Sequence, residues 1–423
     1  MIYLLSLIFL ALPSYLIRFQ ILGIPTTALE ILIYLSALTE IILLRKKLSQ
    51  SLSLKNLKSL AKKRWMQAFS LLFIALLTSI LVAPEKRAAL GILKGFFIDP
   101  FLVFLMVYQN VKTQKDLLKI SLGLSLGAIL ITLWAILQGL GFYYLLPHQP
   151  IEHFFGYQLE KRAFGPFESP NYLGMYLAPL SLFILGIGLF YLKEEKGKEQ
   201  PRPKIYRYLL SSTLFLSLTA LLLSKSYGAL LAFFFGFFFL LYHYLKKSSQ
   251  EKGALFAKIA LFLILLALIL SLFLTALGGR RIETSFAVRK EIWRAAFSFI
   301  KSKPLFGVGL GGFPQAFDKY LWQNYSTLPT WTPWARMHPH NLFLAFWLNL
   351  GIMGFLSFLW LLYLFFQELD FENPLSPILA SAMFAILVHG LLDTTYWKND
   401  LSIFFFFLLA LSLKKLKEDK KVI

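Results

Sequence analysis

Residues 337–354 read Met337-His338-Pro339-His340-Asn341-Leu342-Phe343-Leu344-Ala345-Phe346-Trp347-Leu348-Asn349-Leu350-Gly351-Ile352-Met353-Gly354. A His-Asn pair stands at the mouth of an apolar helix, and a Gly-x-x-Gly follows about two and a half turns later. An imidazole at the edge of a membrane segment is a titratable group where water meets lipid. Chemistry on a lipid-linked substrate needs its acid or base at that level.

The rest of the chain supports a membrane reading of this stretch. Its 423 residues are 57% hydrophobic and only 15% charged, with a mean hydropathy of +0.65. A soluble domain of this length needs far more polar surface. Apolar runs of about 18 to 25 residues recur from end to end, enough to cross roughly 30 Å of hydrocarbon as helices. Strands of a membrane barrel alternate polarity over about ten residues, and no such alternation is visible. The expected fold is therefore all-α, a polytopic membrane protein of about twelve transmembrane helices. They lie near 1–17, 24–44, 66–83, 89–110, 117–141, 171–192, 207–224, 227–245, 256–277, 342–367, 375–392 and 401–414. The first segment lacks a basic leading region and a small-residue cleavage site, so it reads as a retained span. The whole chain, 1–423, reads as one transmembrane domain.

Lysine and arginine set the orientation. Arg45, Lys46, Lys47, Lys55, Lys58, Lys62, Lys63 and Arg64 follow the second span. The segment Lys193 to Lys204, then Lys246, Lys247 and Lys252, and the tail Lys414 to Lys421 fall on the same side. That side reads as cytoplasmic, with both termini there. The formal charge of +21 is then largely topogenic and faces membrane lipids; nucleic acid is not an expected partner. The absence of cysteine excludes disulfides and cysteine-ligated metals. No internal repeat is visible, so the inverted-repeat signature of many transporters is missing.

Two loops on the other side break the membrane pattern: 142–170 and 278–341. The second is basic where few cations are expected, with Arg289, Lys290, Arg294 and Arg336 among others. Long loops translocate regardless of charge; alternatively, this is a cationic surface for an anionic ligand such as diphosphate, which arginine forks bind well. Ser285 to Lys303 reads as an amphipathic helix with Phe286, Trp293, Phe297 and Ile300 on its apolar stripe, stopped by Pro304. Such a helix could lie in the interface plane. Gly307-Val308-Gly309-Leu310-Gly311-Gly312 reads as a tight turn, because it follows a helix and a proline rather than a strand. Trp322, Tyr325, Trp331 and Trp334 crowd the approach to His340, as interfacial anchors or as sugar-stacking platforms.

In the first loop, Arg162 is either an interfacial residue of a turn or another diphosphate ligand. In the short connection Ser224-Lys225-Ser226-Tyr227-Gly228, Lys225 either snorkels to the interface or adds a third cation. His338 is a supporting polar group beside His340. Asp393, at the end of the eleventh span, either orients His340 or an arginine, or solvates a helix end. His389 reads as a packed, hydrogen-bonded histidine. Scattered acids in the outer loops offer no Mg²⁺ cluster, and His338 and His340 lack a third zinc ligand nearby. No metal or other cofactor is expected.

Taken together, these stretches resemble the O-antigen ligase and polymerase superfamily of bacterial envelope glycan enzymes. Three ordered motifs carry the resemblance. The first is His340, Asn341, nine residues, Gly351 and Gly354. The second is Arg289, Trp293 and Arg294, followed by Pro304-Leu305-Phe306-Gly307-Val308-Gly309. The third is Arg162, Gly165, Phe167, Pro170 and Asn171. The sequence departs from the family where a Ser-Arg-Gly turn is common: Tyr227 stands at the arginine position, with Lys225 two residues before it. Lysine cannot reproduce a bidentate guanidinium contact.

The resemblance implies a metal-independent, inverting membrane glycosyltransferase. An O-antigen ligase moves a glycan from undecaprenyl diphosphate to lipid A-core, at the periplasmic face of the inner membrane. It implies His340 as catalytic base or orienting group. Arg289, Arg162 and Lys225 are the implied diphosphate ligands, and His338, Asn341, Arg294, Tyr227 and Asp393 the supporting residues. A polymerase, with a second lipid-linked glycan as acceptor, is the near alternative. A lipid or solute transporter is the alternative of a different class, and it requires functional charges at mid-membrane.

Overall fold

The computed structural model describes residues 1–51, 59, 62–142, 162–191, 204–246, 279–327, 336–414 and 416. The expected span at 256–277, most of the loop 142–170, Trp331, Trp334 and several of the topogenic lysines lie outside these residues. The described part is mostly helical, with one hairpin as its sheet structure, and is an all-α polytopic membrane protein.

We number the helices α1 (Ile2–Leu10), α2 (Ala28–Ser51), α3 (Arg64–Val82), α4 (Lys86–Asn110), α5 (Gln114–Gly139), α6 (Pro170–Tyr191), α7 (Lys204–Ser224), α8 (Tyr227–Lys246), α9 (Gly279–Ser302), α10 (Phe313–Asn324), α11 (Leu342–Gln367), α12 (Leu375–Gly390) and α13 (Asn399–Ser412). Seven of them, α3 to α8 and α11, are long and apolar enough to cross a membrane; α12 and α13 are shorter apolar helices.

The amino-terminal segment does not form the single span expected over 1–17. Helix α1 has nine residues, a rise of about 13 Å. Pro13 then sits in a 3-10 turn over Leu12–Leu16, where it cannot continue an α-helical ladder. The chain turns back as a hairpin, β1 (Arg18–Ile21) against β2 (Ile24–Thr27), with Arg18 opposite Thr27. Its two-residue turn, Leu22-Gly23, has φ of 50° and 77°, the primed geometry that matches strand twist. Thr27 and Glu30 then start α2 with reciprocal backbone bonds, Thr27 N to Glu30 Oε2 at 3.1 Å and Glu30 N to Thr27 Oγ1 at 3.2 Å.

Helix α13 has 14 residues, about 21 Å, short for a bilayer of roughly 30 Å. It escapes that requirement because Leu401 to Ser412 are all buried, so protein rather than lipid surrounds it. Phe404, Phe405, Phe406 and Phe407 pack there against rings of other helices, including Phe9, Phe69, Phe183 and Phe358. Helix α5 approaches α1 closely: a Cβ on Gly123 would stand 2.0 Å from the Ser6 carbonyl oxygen. Small residues permit such contacts between membrane helices.

Helix α11 is interrupted. Gly351 has φ 67° and ψ −173° within an otherwise helical run. The turn after α9 plugs the break: Ile352 N donates to Pro304 O at 3.1 Å, Val308 N to Leu348 O at 2.8 Å, and Trp347 Nε1 to Pro304 O at 3.1 Å. A Cβ at Gly351 would lie 1.9 Å from the Leu305 carbonyl oxygen, and one at Gly307 2.2 Å from that of Leu348. The two glycine motifs read separately in the sequence are thus one interlocked joint.

The expected apolar stripe of the 285–303 helix is rotated. Val288, Ile292, Ala295, Ala296 and Ile300 form the buried face, packed with Phe313, Phe317 and Leu321 of α10 and Leu348 of α11, whereas Phe286 and Phe297 are exposed. Buried charge also occurs along the helices. Glu30 pairs with Lys94 at 2.9 Å, and Asp99 and Asp400 are buried. Lys94 opens a π turn, Lys94–Ile98, within α4.

Candidate active site

His340 lies in the short segment that leads into α11, and its backbone takes the left-handed region with φ 45°. A residue with a Cβ pays for that conformation with roughly 1–3 kcal/mol of strain. The surroundings fix it. Trp293 of α9 donates Nε1–H to the carbonyl oxygens of Pro339 at 3.1 Å and His340 at 3.4 Å. Asn341 caps α11 by accepting from Leu344 N at 3.0 Å, and its Nδ2 reaches Leu391 O at 2.9 Å. Asn341 thereby ties the histidine loop to the end of α12.

Asp393, just past α12, is the hub. Its Oδ1 lies 3.2 Å from His340 Nδ1 and accepts from Thr394 N at 3.0 Å. Its Oδ2 accepts from Asn171 Nδ2 at 3.0 Å and lies 3.8 Å from an Arg289 guanidinium nitrogen. Burial opposes ionisation of this carboxyl, but His340, Arg289 and His389 hold it well below the usual carboxylate range. An ionised Asp393 directs the Nδ1 proton of His340 toward itself, which makes Nε2 the basic nitrogen.

Arg289 reaches Asp393 from α9, and its Nε donates to Leu392 O at 2.9 Å while a terminal nitrogen contacts Ser285 Oγ. Arg162 belongs to the segment that leads into α6. It is buried, donates Nε–H to Ser224 O at 3.0 Å, and approaches Asn171 Oδ1 at 3.5 Å. Asn171 Oδ1 also accepts from Ser226 Oγ at 3.1 Å. Asn171 thus bridges the two arginine-bearing segments through one amide, whose two ends match a carboxylate on one side and donors on the other.

Tyr172, next in the chain, faces a second charged group. The His338 ring meets it edge-on at 6.4 Å, and Lys398 Nζ stands 4.2 Å from its ring centroid. Lys398 donates to Glu168 Oε2 at 2.7 Å, and Arg18 of β1 lies 3.8 Å from Glu168 Oε1. Burial, then His340 and Lys398, push the His338 imidazole down to about 4. Burial raises the Glu168 carboxyl, but Lys398, Arg18 and His338 together lower it below its ordinary value.

The structure thus brings His340, Asp393, Arg289 and Arg162 into one group, with His338 at its edge. Lys225, at the turn between α7 and α8, is exposed with φ 48°, and Tyr227 beside it is also exposed. Arg294 points elsewhere: its ion pair is with Glu291, and it is 61% exposed. Asn171 entered the sequence reading only as part of a motif, and Glu168 only as a scattered acid. Lys398 and Arg18 did not enter it. Glu168, the partner of both, is more than 100 positions from each, so no local spacing announces the pairing. Among the described residues, no group of three His, Asp or Glu side chains is gathered closely enough to hold a metal ion.

A strained histidine and a buried carboxylate flanked by arginines, at the end of an apolar bundle where several helices begin and end, define an integral membrane protein with a polar site at its rim. Residues 212–359, about a third of the chain, match the family model described as O-antigen ligase. That match includes His340, Arg289, the Pro304–Gly309 turn and Gly351, and it supports assignment to the O-antigen ligase and polymerase superfamily. No curated protein matches the sequence.

Proposed function

We propose that the protein is a membrane glycosyltransferase of the ligase type, moving a glycan from undecaprenyl diphosphate to lipid A-core. The observation that carries this reading is the single cluster of His340, Asp393, Asn171, Arg289 and Arg162 at the bundle rim. The acceptor hydroxyl gives its proton to His340 Nε2 as its oxygen attacks the anomeric carbon. The bond from that carbon to the diphosphate oxygen breaks, and the electron pair leaves with the diphosphate. Displacement from the opposite face inverts the anomeric centre. General-base assistance of this kind gives about 10²–10⁴-fold.

Asp393 aligns the imidazole and balances its charge once protonated. Arg289 and Arg162 neutralise the departing diphosphate by charge-assisted hydrogen bonds, aided by Lys225 at the neighbouring turn. Two guanidinium forks supply the charge that a divalent ion supplies in other diphosphate chemistry, so the reaction needs no metal. The polyprenyl tail lies along the membrane helices. The opposite end of the bundle carries Lys62, Lys63, Arg64, Lys112, Lys246 and Lys414, which favours a cytoplasmic location for that end and a periplasmic one for the site.

The test is transfer by the purified protein in proteoliposomes. The donor is a glycan on undecaprenyl diphosphate; the acceptor is either lipid A-core or a second donor molecule. Transfer to lipid A-core that survives EDTA and vanishes in His340→Ala is the expected result. Elongation from donor to donor instead makes the protein a polymerase. A folded protein that transfers to neither acceptor overturns the reading and favours transport.

A further inference from the structure

Two charged groups lie near His340, each built on a carboxylate with cations beside it. In one, Arg289 and Arg162 accompany Asp393; in the other, Arg18 and Lys398 accompany Glu168. The first pairs Arg289 with Asp393 and reaches Arg162 through Asn171; the second pairs Lys398 and Arg18 with Glu168, with the buried Asp400 carboxyl within electrostatic reach of Lys398. The dipeptide Asn171-Tyr172 divides them, since Asn171 bonds Asp393 while Tyr172 contacts His338 and Lys398. The first group accounts for the diphosphate of the donor. The second has no part in that step.

We infer that Glu168, Lys398 and Arg18 form a second anion-binding subsite, which takes the acceptor sugar through a negative substituent beside its accepting hydroxyl. This rests on the transfer reading above. Lys398 is buried and carries three N–H donors; Glu168 and the Tyr172 face account for two of them. Arg18 is 63% exposed on the hairpin and stands 3.8 Å from Glu168, so its fork can swing onto a ligand without leaving a buried charge behind. A lock between two loops needs only the Lys398–Glu168 pair; the added exposed guanidinium is what a ligand site requires. His338 supplies a neutral imidazole at the same wall, able to donate to or accept from a sugar hydroxyl. It is two residues from His340, at most about 7 Å along the chain, so an acceptor held there presents its hydroxyl to the base. Phosphate and carboxylate substituents share the chemistry this subsite recognises.

The experiment measures acceptor and donor KM separately in the proteoliposome assay, for the wild type, Lys398→Gln and Arg18→Gln. Native acceptor is compared with phosphatase-treated and with carboxyl-reduced acceptor. One of the two treatments is expected to raise the wild-type acceptor KM about tenfold, the loss of one charge-assisted contact, and it names the anion. Either variant is expected to raise the native acceptor KM by a similar factor, with donor KM held and no further effect of the treatment. Arg18→Gln changes a surface side chain, so it reports on the subsite even where Lys398→Gln disturbs folding. Equal rises in donor and acceptor KM, or wild-type kinetics indifferent to both treatments, overturn the subsite while leaving transfer intact. A wild-type protein that transfers to no acceptor sinks the transfer reading first.

Discussion

Replacing Asp393 with asparagine tests how the base is held. Donors converge on this carboxylate from both sides, His340 Nδ1 at 3.2 Å and Thr394 N at 3.0 Å on one oxygen and Asn171 Nδ2 at 3.0 Å on the other. An asparagine offers one acceptor and one donor, so whichever way its amide turns, at least one of these groups faces an N–H. A buried donor left unsatisfied costs about 1–3 kcal/mol, roughly 5- to 150-fold in an equilibrium. The same misfit tilts the imidazole, and a general base contributes about 10²–10⁴-fold. Because both effects act through one orientation they do not add, and a fall in kcat of about 10²–10³ is expected. The assay is glycan transfer at saturating donor and acceptor, with Tm measured on the same samples. Adding Asp393→Asn to His340→Ala is expected to cause little further loss, since the carboxylate acts through the histidine. A single variant within about threefold of wild type, or a double variant whose losses multiply in full, would refute the reasoning.

Arg289→Lys retains the charge but loses the fork that serves Leu392 O and Asp393 together; kcat is expected to fall by about tenfold or more, and a fall confined to acceptor KM contradicts the assignment. Gly351→Ala places a Cβ against the Leu305 carbonyl at a backbone of φ 67°, so Tm in detergent is expected to drop by several degrees; an unchanged Tm removes the interlock from consideration. Asn341→Ala deletes the α11 cap and is expected to cost about 1–2 kcal/mol, with Asn341→Asp, which restores the acceptor for Leu344 N but not the donor to Leu391 O, recovering only part of it in a denaturation series. The His338 imidazole is held near 4 when folded, below its ordinary value of 6.5. The unfolded chain therefore binds the extra proton first, and the stability present above about pH 6.5 declines as pH falls toward 4. His338→Gln is expected to narrow the Tm gap to wild type between pH 7 and 5, and a widening gap contradicts the burial of a neutral imidazole.

What could be read in advance depended on how far apart the partners lie in the chain. His340 and Asn341 lead directly into the helix that holds Gly351, and its apolar run makes that helix legible. Asp393 could be anticipated because it closes an apolar segment at the same end. The pairs that complete the arrangement join remote segments: Lys398 with Glu168, Arg162 with Ser224, Asn171 with Asp393. Periodicity carries no signal for such meetings. The rotation of α9 escaped for a related reason. Phe286 and Phe297 outrank Val288 and Ala295 in size, but the small residues are the ones that let α9 pack closely on α10 and α11. Glu30 and Lys94 are each isolated in the sequence and meet only in the folded chain, where Lys94 opens the π turn of α4.

The joint at Gly351 makes the stretch between cap and break a ruler. Nine residues, Leu342 to Leu350, separate Asn341 from the point where Leu305 occupies the helix. Each residue turns a helix by about 100° and advances it by about 1.5 Å. With the far end clamped to the Pro304 turn, one residue inserted or removed would swing His340 about a quarter-turn or more around the axis, away from Asp393. The length of that run is therefore as much a component of the site as the imidazole it aims, although none of its nine side chains needs to touch a substrate.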